Sequence, residues 1–326
     1  MKTPPFQINN KILSQVSAIQ ELVGTLKAFS SVAPAPKLRR ENKIQTVHHS
    51  LAIEGNSLSP DQITAILENK RVIGPKNQIT EVQNALKLYE SLNSFNPLLE
   101  KDLFRAHGLL MKDLLSRPGK YRSTQVGVLK GTKVSHVAPP HAKVPILMGK
   151  LFDFLNKNTE VPWLIKACLF HYELEFIHPF SDGNGRMGRL WQQLILMKQS
   201  PLFEFISAET IIHKRQRGYY DVLEKCDRVG NSTLFIEFSL ENILAALQDF
   251  GLQYRPTKAK GSDRIDQALQ HFGKKSFSRG DYLLLHKGLS TATASRDLGW
   301  AVDRGLLTRT GEKALAKYAL LNKKSY

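Results

Sequence analysis

Residues 178–189 read HPFSDGNGRMGR, and this run decides the reading of the chain. Pro179 stops the apolar helix before it, and Gly183-Asn184-Gly185 makes a turn of bare backbone that leads into a second helix. Glycines let the main chain approach an anion closely, and the N–H groups at a helix N-terminus point toward it with the positive end of the dipole behind them. The expected occupant is the phosphate chain of a nucleoside triphosphate. Arg186 and Arg189 are three apart, so both are expected on one helix face, holding successive phosphates through bidentate contacts. Asp182 supplies a hard oxygen for the Mg²⁺ that accompanies ATP, and His178 has the intrinsic pKa to take a proton from an attacking hydroxyl. A lone GNG or R-x-x-R is structural far more often than functional. Eight specified positions together, at roughly 5% usage per type, coincide by chance in a chain this long on the order of once in a hundred million.

Outward from this loop, the sequence reads as mainly α. Apolar residues recur at three and four over Asn9 to Phe29, and further helices are expected over Leu38 to Ile53, from Ser59-Pro60 to Leu67, Ile79 to Leu92, Glu100 to Leu115, Val144 to Asn156, Val161 to Ile177, Arg186 to Lys198 and Tyr219 to Cys226. Tyr121 to Pro145 differs: β-branched residues, a Gly131 turn and Pro139-Pro140 describe a short hairpin that ends in an extended loop. Near Arg255 to Ser262 the polar, basic sequence RPTKAKGS reads as a linker, so the expected organisation is a helical N-terminal region (1–100), a core (101–250), a linker (251–262) and a small domain (263–326). In the last, helices over Ile265 to Phe272, Arg279 to Leu285 and Thr291 to Leu307 precede a strand-turn-strand at LLTRTGEKALAKYAL, the order of a winged helix-turn-helix.

Length and composition agree. A chain of 326 residues exceeds what one core usually supports. Two cysteines, Cys168 and Cys226, without CxxC spacing suggest neither disulfides nor zinc, and no apolar run reaches a spanning length, so a cytoplasmic protein with no membrane partner is expected. The 46 Lys+Arg exceed the 29 Asp+Glu by 17, and the segment 251–326 carries 15 basic against 6 acidic residues. That basic end suits a polyanion such as nucleic acid. His171, Glu173 and His178 lack the spacing of HExxH, and His48 and His49, adjacent on a helix, are expected to point apart.

The run at 178–189 matches the Fic signature HPFx(D/E)GNGRxxR at every specified position, and the resemblance extends over roughly residues 40 to 240. It implies a Fic helical core with a small β-hairpin flap, and a protein adenylyltransferase that moves AMP from Mg·ATP to a Ser, Thr or Tyr hydroxyl of a protein, the chain itself being one candidate target. By resemblance His178 is the base, Asp182 holds Mg²⁺, Asn184 with the Gly183 and Gly185 amides forms an anion hole, Arg186 and Arg189 bind the β- and γ-phosphates, and Phe180 anchors the loop. The intact Gly185 argues against the branch that phosphorylates its target. Upstream, Ser50 to Gly55 fits the family's inhibitory pattern (S/T)xxxE(G/N). A carboxylate from Glu54 reaching Arg189 would displace the γ-phosphate and leave ATP in an unreactive pose. The same glutamate orients water in relatives that reverse the modification, so a hydrolase stands as one alternative and a ligand-sensing DNA-binding regulator as another. The hairpin stands where the family carries its target-binding flap, with Val126, Val128, Ser135 and His136 as candidate contacts. RGYYDVLEKCD resembles the adenine-side helix, with Tyr219 and Tyr220 flanking the base, although Asp227 stands where relatives often carry Asn. The C-terminal segment resembles winged helices at the ends of many Fic proteins, and Thr291, Thr293, Arg296, Arg309 and Lys313 are its candidate DNA contacts. Self-association that holds Glu54 in place, as a homodimer, is a further expectation.

Overall fold

The computed structural model describes residues 4–29, 36–130, 133–253, 261–273, 275–286, 288–312 and 315–321. The chain forms two compact units, Met1–Gln253 and Tyr254–Tyr326. Among its described residues the first has helices and a single hairpin as its regular elements. Its centre is a pair of helices, α7 (Trp163–Ile177) and α8 (Asn184–Gln199), joined by the loop that carries the signature. A helix that is apolar around its whole circumference is a buried one. α7 behaves so, with ten of its fifteen residues buried, and α8 buries twelve of sixteen. Gly188 sets how closely the two can pack, because a Cβ there would stand 2.7 Å from Cδ2 of His171.

Around this pair stand α1 (Asn10–Phe29), α2 (Pro36–Ile53), α3 (Pro60–Leu67), α4 (Lys76–Glu90), α5 (Glu100–Leu110), α6 (Val144–Lys157), α9 (Ala208–Lys214), α10 (Gln216–Val229) and α11 (Thr233–Gln253). Residues 1–100 share this unit, with α2 packed on α4, α8 and α9. Ser59 starts α3 through a capping box with Gln62 and a proline at the first turn. Two helices exceed the expected set, α9 and α11. In α11 the buried Ser239 and Asn242 interrupt the apolar stripe formed by Phe235, Ile236, Leu240, Ile243 and Leu247, which hides its period. The hairpin is β1 (Gly127–Lys130) against β2 (Lys133–Val137), antiparallel, with a bulge after Val128. Gly131 lies outside the described residues.

The second unit contains α12 (Gly261–Phe272), β3 (Phe277–Ser278), α13 (Arg279–Leu285), α14 (Thr291–Asp303), β4 (Leu307–Thr310) and β5 (Lys317–Leu320). The antiparallel sheet has the order β3-β5-β4, and the whole is a winged helix-turn-helix. The expected helix to Leu307 ends early because Gly305, at φ +66°, turns the chain into β4. β3 is two residues long and holds Phe277 opposite Tyr318, a pairing that leaves no periodic signal. Buried Ile265, Tyr282, Leu298 and Tyr318 share this unit's own core. Among the described residues no helix is long and apolar enough to cross a membrane.

Candidate active site

The loop is held by residues on both sides of it. α7 ends at His178, whose backbone turns left-handed (φ 50°, ψ 59°) while its N–H donates to the Leu174 carbonyl at 2.9 Å. A non-glycine residue in that region is uncommon and its surroundings must hold it there. Phe180 is fully buried and stacks on His107 with centroids 3.7 Å apart. Asn184 clasps the same residue, accepting from the Phe180 N–H and donating to its carbonyl, both at 2.9 Å. Oδ1 and one N–H of the Asn184 amide thus hold the loop, and the backbone N–H groups at the start of α8 stand beside it. Gly183, at φ +85°, is the N-cap residue of α8, and a side chain there would press on Met111.

His107 was not singled out by sequence. Its Nδ1 accepts from the Gly119 N–H at 2.8 Å, so the proton is on Nε2, which donates to the Asp182 carbonyl at 3.0 Å. Burial holds its pKa down to about 4, and the ring stays neutral in that tautomer. Arg122 is the second such residue. Its guanidinium donates to the carbonyls of His178 (2.7 Å), Thr124 (2.9 Å), Pro139 (2.5 Å) and Ile177 (3.4 Å), and its own N–H donates to the Pro179 carbonyl at 2.9 Å. One buried cation thus ties both ends of the hairpin to the loop, and burial lowers its pKa.

Five charged groups gather around the start of α8: Arg186, Arg189, Glu54, Glu81 and Asp182. Arg186 reaches Glu81 at 3.0 Å and the Asp182 carboxylate at 3.2 Å. Arg189, 2% exposed, donates from Nη2 to Oε1 of Glu54 at 2.8 Å and to the Ser50 carbonyl at 2.9 Å, with Nε 3.4 Å from the Ser50 hydroxyl. The two arginines therefore serve different carboxylates. Burial alone would lower the pKa of Arg189, but the neighbouring Glu54, Tyr219 and Glu175 outweigh it and raise it. A Cβ built on Gly185 would lie only 2.4 Å from Oε1 of Glu54. The Glu54 carboxylate thus lies against the glycine backbone at a helix N-terminus, where an anion is favoured. Arg186 Nε and Arg189 Nη1 are buried without a hydrogen-bond partner, donors that a phosphate would satisfy. Asp182 is exposed over 60% of its side chain, as a ligand for a water-bearing Mg²⁺ should be.

The α10 tyrosines differ from expectation. Tyr219 is 1% exposed and its ring is packed in the core; its hydroxyl donates to Glu175 at 2.9 Å and lies 3.1 Å from Nε2 of His171. Tyr220 donates to the Ile53 carbonyl at 3.1 Å, and Gln216 does so at 2.7 Å. α10 thus caps the end of α2 one residue before Glu54, and Gly55 at φ +92° ends that turn. Asp227 accepts from the Tyr172 hydroxyl at 2.9 Å. In the hairpin, Val126 is half-buried; the side chains of Val128, Ser135 and His136 lie outside the described residues. His48 and His49 do not point apart: their centroids are 4.8 Å from each other, and His213 of α9 stands 5.1 Å from His49, so the helix packed on α2 gathers both rings.

Residues 97–196 match the profile of the Fic/DOC family. Among curated proteins the chain is 32% identical over 228 residues to the protein adenylyltransferase Fic of Culex quinquefasciatus, covering 65% of this chain and 43% of that one. It is 29% identical over 246 residues to that of Nematostella vectensis, covering 71% and 54%. The chain spans about half the length of the curated relatives it matches. A crystal structure of a Fic family protein from Desulfovibrio desulfuricans G20 superimposes with a TM-score of 0.74 at 37% identity, over 100% of both chains. Fic-1 of C. elegans shares the fold, with a TM-score of 0.61 at 24% identity. Because the Desulfovibrio likeness covers the whole of both chains at 37% identity, this chain belongs to the Fic family.

Proposed function

We propose that this chain is a protein adenylyltransferase restrained by its own Glu54. Its substrates are Mg·ATP and a Ser, Thr or Tyr hydroxyl presented beside the β1–β2 hairpin, whose free edge suits pairing with an extended target segment. As the hydroxyl oxygen attacks the α-phosphorus, His178 takes its proton; the new P–O bond forms while the bond from the α-phosphorus to the bridging oxygen breaks, and pyrophosphate leaves. The N–H groups at the start of α8 receive the charge that develops on the phosphate oxygens. Asp182 would hold the Mg²⁺, which supplies neutralisation of the triphosphate charge. Arg186 and Arg189 then exchange their carboxylates for phosphate oxygens.

The observation that carries this reading is the Glu54 carboxylate, 2.8 Å from Arg189 and against Gly185. Wherever the γ-phosphate takes Arg189, it must first displace Glu54. The test is incubation with Mg²⁺ and α-labelled ATP. Glu54→Gly should become protein-bound label, wild type should carry little, and Glu54→Gly/His178→Ala none. Equal labelling of wild type and Glu54→Gly would remove the restraint from the account. Label that wild type strips from a pre-labelled target, with no forward transfer by either protein, would favour the reverse, hydrolytic reaction.

A further inference from the structure

We propose that the C-terminal unit is a double-stranded DNA-binding site, formed by the outer face of α14, the start of α13 and the β4–β5 wing. Such a site requires nothing of the reaction at the Fic loop. α14 turns Ala294, Asp297, Leu298 and Ala301 into the unit's core, which leaves Thr291, Ala292, Ser295, Arg296 and Gly299 outward. On that face short side chains surround a single long one, Arg296. A helix so built lets its backbone approach the floor of a major groove while one guanidinium reaches a base edge.

The charges are sorted accordingly. Asp297, in the middle of the recognition helix, would repel phosphates if it faced outward. It is buried instead, accepting from Arg264 at 2.6 and 2.9 Å and from the Tyr282 hydroxyl at 3.1 Å. Asp281 is engaged in the capping box of α13 with Ser278. Exposed acids lie at the ends of these elements, Asp303 at the end of α14 and Glu312 just after β4, while the outward positions of α14 before Asp303, the start of α13 and the exposed ends of β4 and β5 carry cations. Arg279, the first residue of α13, donates to the Ser295 hydroxyl at 3.1 Å and is thereby fixed beside the α14 face. Arg309 on β4 and Lys317 on β5 are exposed on neighbouring strands of the wing. The N-terminus of α14, capped by Ser290, adds a positive dipole end. The segment's 15 basic against 6 acidic residues give the surplus that a polyphosphate surface neutralises.

The contact set differs from that read in the sequence. Thr293 is spent on the cap: its hydroxyl lies 2.9 Å from Ser290 Oγ and accepts from Arg296 at 3.3 Å. Arg279, Ser295 and Lys317 join Thr291, Arg296 and Arg309, and Lys313 lies outside the described residues. Arg279, Arg309 and Lys317 are assigned to phosphates and Arg296 to a base edge.

The test is fluorescence anisotropy of the full chain with a labelled duplex of about 30 base pairs, titrated between about 50 and about 200 mM salt. Binding is expected at the low end and should weaken linearly on a log–log plot. Arg279→Ala/Arg309→Ala should reduce the slope by about 2, at roughly 0.9 per phosphate contact, and weaken binding at about 50 mM salt by tenfold or more. Arg309→Gln alone, on an exposed strand, should show about half that slope change and guards against a folding defect from the loss of Arg279. Lys101→Ala/Lys150→Ala, exposed in the other unit, should alter neither quantity. No binding at about 50 mM salt, or the wild-type affinity and slope in folded Arg279→Ala/Arg309→Ala and Arg309→Gln, would overturn the proposal and leave the wing to protein partners.

Discussion

Replacing Glu54 by alanine should destabilise the resting protein and, in the same measure, strengthen its grip on ATP. Arg189 is 2% exposed, and Glu54 supplies the carboxylate of its ion pair at 2.8 Å. Removing one partner of a fully buried pair costs about 3–5 kcal/mol because the other charge is left unpaired. Here Glu54 keeps 33% of its side chain in solvent, and the Ser50 carbonyl still accepts from Arg189, so we scale the loss to about 1–3 kcal/mol. For a unit of this size that lowers the melting temperature by about 2–4 °C per kcal/mol. If the γ-phosphate replaces Glu54 on Arg189, both proteins reach similar nucleotide-bound states, and the deficit reappears as binding. ATP should then bind the variant about 5- to 150-fold more tightly than wild type. ADP, without a γ-phosphate, should not distinguish them. Thermal melts of both proteins with Mg·ATP, with Mg·ADP and with neither measure all the terms. A variant as stable as wild type, or one favoured equally by ATP and ADP, would refute the reasoning.

Three further outcomes follow from the same contacts. Gly185→Ala places a methyl 2.4 Å from Oε1 of Glu54 and over the start of α8, so it should abolish labelling even when combined with Glu54→Gly, as read by α-labelled ATP. Arg122→Lys cannot serve the carbonyls of His178, Thr124, Pro139 and Ile177 at once; it should lower kcat by tenfold or more in the Glu54→Gly background with a smaller change in KM for ATP, and a kinetic comparison with Arg122→Ala checks the order. For acid stability, burial and neighbouring imidazoles hold His49 at about 4, and burial holds His107 at about 4 and His171 at about 3, below the usual 6.5. Unfolding therefore takes up protons at these sites below pH 6.5, and their contribution is lost as pH falls through 4 to 3. Burial raises Glu173 and Glu209 to about 7, so unfolding releases protons there between pH 7 and 4.5, the opposite sign. Urea melts should thus show little change from pH 7 to 5 and a steep loss below 4.5; a steep loss already between 6.5 and 5 would contradict the balance.

What could be read from the sequence was what lies close together along it. The polar groups of residues 178–189 occupy one loop and the helix start that follows it, so their spacing carries their geometry. Glu54 was legible for a different reason, because a short helical motif presents it and its partner Arg189 is fixed by the signature. Arg122 and His107 escaped because they work through backbone carbonyls and N–H groups distant in sequence, and a carbonyl has no letter. The pairing of Gln216 and Tyr220 with the Ile53 carbonyl is hidden in the same way. Tyr219 and Tyr220 look alike as a pair, yet adjacent helical residues point about 100° apart, and only packing against α7 and α11 decides that Tyr219 goes inward. In the second unit the three helices announce themselves by caps and periodicity, whereas β3 is defined by two hydrogen-bonding partners on β5 and has no local pattern.

The central claim is that the Fic loop transfers AMP and that Glu54 restrains it. Parallel incubation of Glu54→Gly with ATP labelled at the α- or the γ-phosphate, read by intact mass and protein-bound label, tests it most directly. The account predicts α-label on protein, a mass gain of one AMP, no γ-label, and loss of the signal in Glu54→Gly/His178→Ala. Protein-bound γ-label, or α-label that persists without His178, would contradict it.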